Sequence, residues 1–166
     1  MKRNSTMKKN RKLPPLTVDS ENEDLLELYE RAGFLIRRCH QVIEAYFTEF
    51  CNGHNITSVQ FAAMMILRRR PGIDQATLSD LVAFDRATTG DVVARLVRKG
   101  LVRRRVSNND QRKKLLSLTS KGKKTLTQIH PLVEKAQETF LEPLSAKDWE
   151  NLKEVLLTLA APDYQK

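Results

Sequence analysis

Between Arg86 and Lys124 the sequence sets thirteen basic side chains against Asp91 and Asp110, a net +11 in one stretch of a chain whose total is +9. Guanidinium and ammonium groups at that density neutralise phosphates and release their condensed counterions, so a nucleic acid is the first partner to expect. A solvated charged face is the bland alternative. The run, however, covers one expected helix and the hairpin directly after it, which are the two elements a winged helix places in the grooves of duplex DNA. Other chemistry has little to work with. His40, His54 and His130 fall on different expected elements, and there is no metal-ligand spacing, glycine-rich phosphate loop or nucleophile elbow. We therefore expect no enzyme: no catalytic residue, no metal and no cofactor. Cys39 and Cys51, twelve residues apart on one expected helix, would sit about 18 Å apart. They are read as reduced, half-buried thiols, with oxidation that cross-links subunits as the alternative.

The elements that must position this charge can be read from capping signals and apolar spacing. The 166 residues suit one domain with a sizeable core. Residues 1–18 hold six basic residues and no acid, which is expected to be a flexible basic arm. Ser20 with Glu23 has capping-box spacing and opens a long helix reaching about Cys51. Along it Leu28, Leu35, Val42 and Tyr46 form one apolar stripe; Ile36, His40, Ile43 and Phe47 form a second. A helix apolar on two sides needs cover on both, which a second subunit supplies. Thr57 with Gln60 opens a helix to about Arg70, Asp74 one from Gln75 to Ala83, and Asp85 one from Arg86 to Lys99, closed by Gly100. Leu101–Val106 and Lys114–Leu118 read as a hairpin with turn residues between. Thr119 opens a fifth helix, which Pro131 is expected to kink, and Ser145 with Asp148 opens a last one ending near Leu159. The fold class is mainly α with a small β-hairpin wing. Residues 19–166 form one domain: a DNA-binding lobe at about 54–124, flanked by dimerisation helices at about 20–52 and 125–162. No apolar run approaches membrane-spanning length, and Pro14 and Pro15 follow the basic start, so a cytoplasmic protein is expected.

On the helix from Arg86, Val92, Val93 and Leu96 are spaced to pack inward with Thr89, leaving Arg86, Ala87, Thr88, Gly90, Asp91, Arg95 and Arg98 outward. Arg86 could pair with guanine, Ala87 and Thr88 could meet a thymine methyl, and Arg95 and Arg98 suit phosphates. Ser58 and Gln60 open a helix N-terminus suited to a phosphate, and Thr89 is kept in the DNA-facing set beside its packing role.

The run Asp85-Arg86-Ala87-Thr88-Thr89, the segment Arg95-Leu96-Val97-Arg98-Lys99-Gly100-Leu101-Val102, and Asp110-Gln111-Arg112 leading to Leu118-Thr119-Ser120-Lys121-Gly122 resemble the multiple-antibiotic-resistance regulator (MarR) family over roughly residues 30–160. The resemblance implies a homodimer with intertwined terminal helices, reading helices in successive major grooves and a wing arginine in the minor groove. By position that arginine is Arg112, oriented by Asp110. The chain departs from the family where Gly90 and Asp91 replace a polar and then a basic residue. The family also implies release from DNA by a small, often aromatic or phenolic, molecule. Gly33 to Gln41 is similar to the first helix of members that respond to aromatic acids. Arg37 or Arg38 could clamp a carboxylate, with Phe34, His40, Phe47, Met64 and Met65 as an aromatic slot. A ligand-independent architectural DNA-binding protein is the competing reading. Arg112→Ala is expected to weaken binding to every duplex at matched salt; unchanged affinity would remove the wing assignment.

Overall fold

The computed structural model describes residues 25–82, 84–106 and 113–160. Its elements run α1 (Leu26–Tyr29), α2 (Ala32–Phe50), α3 (Ser58–Arg69), β1 (Ile73–Asp74), α4 (Gln75–Val82), α5 (Arg86–Arg98), β2 (Val102–Val106), β3 (Lys114–Leu118), α6 (Ser120–Leu141) and α7 (Ala146–Leu159). The helix starts follow from side-chain caps that satisfy otherwise orphaned amides. Thr57 and Gln60 form both bonds of a capping box, 3.3 and 3.4 Å long. Asp74 accepts from the Thr77 amide, Asp85 from Thr88, Thr119 from Gly122 and Ser145 from Asp148.

Two expectations are corrected. The single helix expected through Cys51 is broken at Arg31, whose backbone is extended (φ −73°, ψ 126°) and which restarts the chain as α2. An Arg31–Glu27 ion pair and a Tyr29–Phe34 ring contact at 5.3 Å bridge the break. Ser20 and Glu23, like the basic arm at 1–18, lie outside the described residues. The hairpin also gains a third strand. Antiparallel β1 pairs Ile73 with Leu116, giving the order β1-β3-β2, while β2 and β3 run in register from Val102↔Leu118 to Val106↔Lys114.

One core joins the lobe. Met64 and Leu67 of α3, Leu78 of α4, Val93 and Leu96 of α5, Leu116 of β3, and Leu126 and Ile129 of α6 are almost completely buried. Further out, α2 packs along α6 and brings Phe47 to the same core. The opposite is true at the chain's ends. Leu28, Leu35 and Ile36 near the start, and Leu152, Val155, Leu156, Leu157 and Leu159 on α7, stand in solvent, and α7 buries no residue.

A backbone weld holds α6 against the corner between α5 and β2. The Thr119 amide donates to the Leu101 carbonyl (3.0 Å) and its hydroxyl to the Gly100 carbonyl (2.7 Å). A Cβ on Gly122 would lie 2.1 Å from the Leu101 oxygen, so only glycine lets the first turn of α6 approach this closely. Gly122→Ala is expected to cost about 3 kcal/mol, at the upper end of overpacking penalties, and to lower the thermal midpoint of the whole lobe; a midpoint equal to the parent's would contradict the weld.

Candidate nucleic-acid interface

The geometry of α5 begins with Asp85. One carboxylate oxygen accepts from the Thr88 amide (2.8 Å) and the other from the Thr88 hydroxyl (2.6 Å). These bonds, the side-chain one foremost, hold the Asp85 carboxyl below its usual pKa. Asp74, which starts α4, is held low mainly by the Thr77 amide. One residue on, the Thr89 hydroxyl donates to the Asp85 carbonyl (3.0 Å) and sits 3.0 Å from the Ser79 hydroxyl of α4. Together with buried Val93 and Leu96, this fixes the rotation of α5 about its axis. Arg86, Ala87, Thr88, Asp91, Arg95 and Arg98 are left exposed.

Three sequence expectations change here. Thr89 is 1% exposed, and its hydroxyl is committed inside the lobe, so it positions the helix and does not reach DNA. Gln60, 3% exposed, is likewise a buried cap whose side-chain oxygen is taken up by Thr57 and Lys99. Gly90 faces α4 instead of pointing outward: a Cβ there would meet the Gln75 side-chain nitrogen at 3.3 Å. Gln75 in turn accepts from Arg104 of the wing (3.4 Å), so the missing side chain at Gly90 makes room for a bridge between α4 and β2. Asp91 has no ion pair with a described residue. Ser58 is half-buried at the start of α3. Arg103, Arg104 and Arg105 are exposed on β2 beside α5, which places the arginines of the two elements on adjoining surface. Asp110 and Arg112 lie outside the described residues.

The expected aromatic slot does not gather in one protomer. Phe34 and Phe47 are thirteen residues apart on a continuous helix, or about 20 Å, farther than a small acid spans. Phe34 and Arg37 share a hollow of about 580 Å³ with Leu28 and Arg31. Phe47 lines a separate hollow with Cys51 and Ile56, and Met65 a third with Arg69 and Leu81. Met64 is completely buried in the core, Arg38 is half-buried and His40 is exposed. What sequence spacing missed is an aromatic chain across three helices: Phe47, Phe61 and His130, with successive ring centroids 6.2 Å apart. Phe61 carried no signal beyond its apolar type. The thiols divide as well: Cys39 is exposed, while Cys51 is buried and burial pushes its pKa up. Among the described residues no cluster of His, Cys, Asp or Glu could hold a metal ion, and no helix is long and apolar enough to cross a membrane.

This arrangement is similar to known proteins. The model of the MarR family matches residues 56–114. The transcriptional regulator HosA of Escherichia coli is 34% identical over 96 residues, covering 58% of this chain and 71% of HosA. The HTH-type transcriptional repressor NicR of Pseudomonas putida is 30% identical over 120 residues, 72% of this chain and 76% of NicR. Among solved structures, PcaV of Streptomyces coelicolor with its natural ligand has a TM-score of 0.76 at 30% identity, covering 80% of this chain and 94% of PcaV. The repressor CouR on a 23-mer DNA duplex has 0.76 at 26%, covering 82% and 96%. BpsR of Bordetella bronchiseptica, whose DNA binding is regulated by 6-hydroxynicotinic acid, has 0.77 at 25%, covering 81% and 96%.

The Asp85 cap makes a pH prediction. Because its folded pKa is depressed, its stabilisation is present above the ordinary carboxylate pKa of about 4 and is lost as pH falls through the lower folded value. Asp85→Asn is expected to melt below the parent at neutral pH, with the gap closing in acid. A gap that stays constant down to about pH 2 would contradict the assignment.

Proposed function

The chain belongs to the MarR family of transcriptional regulators, and from that premise we propose that it is a homodimeric repressor, released from a pseudo-palindromic duplex operator by a small aromatic or phenolic acid. The observation that carries the DNA reading is the exposed cationic surface of α5 and β2, held in register by a buried core. In this reading residues 54–124 read DNA. Arg86, Ala87 and Thr88 meet base edges, while Arg95, Arg98 and Ser58 meet phosphates. Asp85 holds the Thr88 hydroxyl, which leaves the Thr88 methyl for apolar contact.

Pairing of two copies is supported by the apolar residues left in solvent at both ends of the chain, Leu35 and Ile36 on α2 and Leu156, Leu157 and Leu159 on α7. Exposed apolar surface gathered on two elements marks an interface, and the segments 20–52 and 125–162 would supply it. The acid is assigned to the hollow at the start of α2. There Arg37 offers a guanidinium to a carboxylate, and Phe34 a ring face. That BpsR answers to an aromatic acid supports this ligand class. For release, the acid must favour a conformer whose reading helices no longer match successive major grooves, since equal binding to both conformers shifts nothing.

The test selects the preferred site from genomic fragments with the purified protein at about 150 mM salt, then titrates aromatic acids against the complex. A palindromic winner released by an acid is expected, and binding without sequence preference would favour an architectural role. Arg37→Ala should raise the acid concentration needed for release about tenfold or more while leaving acid-free DNA affinity unchanged. An unaltered release curve would remove Arg37 from the ligand site.

A further inference from the structure

Most basic side chains of the cationic stretch stand exposed, but Lys99 is partly covered. It caps the C-terminus of α5, is half-buried, and turns its ammonium to the Asn55 carbonyl and to the Gln60 side-chain oxygen, the latter at 2.9 Å. Gln60 is itself buried and shares the same oxygen with the Thr57 amide. On the other side, the Lys121 ammonium donates to the Lys99 carbonyl (2.9 Å). Asn55 lies in the segment joining α2 to α3 and is the one non-glycine residue with positive φ (52°) among the described residues. Left-handed backbone at a residue with a side chain persists only where its surroundings fix it, and here a cation grips its carbonyl. Burial first, and the charge of Arg95 second, lower the Lys99 pKa, so the ammonium is held there against desolvation.

These contacts run from the reading helix to the joint where α2 enters the lobe. Beside the joint lies an open hollow of about 390 Å³ lined by Phe47, Cys51, Asn55, Ile56 and Thr57. Building on the DNA-binding reading above, we propose that Lys99 is a positioning residue for DNA recognition: it latches the C-terminal end of the reading helix to the α2–α3 joint, so that displacement of α2 is passed to α5.

The test compares the full chain with Lys99→Met, Gln60→Leu, the double variant and Lys99→Arg. Each is measured on the operator the parent selects and on unrelated duplex, across a salt series and with the thermal midpoint recorded. Lys99→Met should weaken operator binding about tenfold, leave unrelated duplex within about twofold, and keep the salt slope. Gln60→Leu, which leaves Lys99 its bond to the Asn55 carbonyl, should weaken operator binding in the same direction but by less. The double variant should be no worse than Lys99→Met alone, because both substitutions act on one latch. Lys99→Arg should recover part of the loss. If Lys99→Met does not fold, Lys99→Leu, which likewise carries no donor, replaces it in every comparison. A salt slope shallower by about one unit, with losses that add in the double variant, would make Lys99 a phosphate contact and overturn the latch. Unchanged operator affinity would overturn it too. A parent with no preferred duplex would instead defeat the DNA-binding reading, and the latch with it.

Discussion

A helix that carries its cations outward is held in place only from the inside, and in this protein the inside of α5 is narrow: Val93, Leu96 and the hydroxyl of Thr89 against α4. The apolar pair supplies burial, on the order of 2 kcal/mol for each side chain, but tolerates rotation. The Thr89 hydroxyl, fixed between Ser79 and the Asp85 carbonyl, does not, because a buried hydroxyl turned away from its partners costs about 1–3 kcal/mol. Asp85 sets where the helix begins and Gly100, with φ of 70°, where it ends. The exposed face is thereby defined to within a residue, and Arg86 to Thr88 at its start can be aimed at base edges.

The wing depends on the same frame. Gln75 crosses the space left by Gly90 to reach Arg104, and Thr119 with Gly122 seals the corner from which β2 departs. Val102 anchors the start of β2 opposite buried Leu118, and beyond it Arg103, Arg104 and Arg105 are all exposed, alternating between the two faces of the strand, with Arg104 paired to buried Leu116 of β3.

Much of this was legible in the sequence because it is local. Capping signals at Thr57, Asp74, Asp85, Thr119 and Ser145 mark helix starts that the structure keeps, and turn residues between an apolar–basic run and its return located both long strands. The break at Arg31 was not legible, since the apolar spacing runs on through it unbroken. The two residues of β1 gave too short a pattern, and Asp74 already served as a cap. Site residues fared unevenly for a related reason. Periodicity tells which residues face inward but not what they meet. It could not show Gln60 and Thr89 consumed by buried bonds, Gln75 filling the place of a side chain at Gly90, or Phe61 between Phe47 and His130. The ligand residues grouped by chemical type along α2 proved to be spread along its length, a distance that residue types alone do not convey.

The central claim is that two copies of this chain present α5 to successive turns of one face of a duplex. It is tested most directly by measuring affinity for synthetic duplexes in which two copies of the selected half-site are moved apart one base pair at a time. The account predicts a sharp maximum at a centre-to-centre separation of about 10 base pairs, with binding about a hundredfold weaker when a half-turn is inserted. Affinity independent of spacing would contradict it.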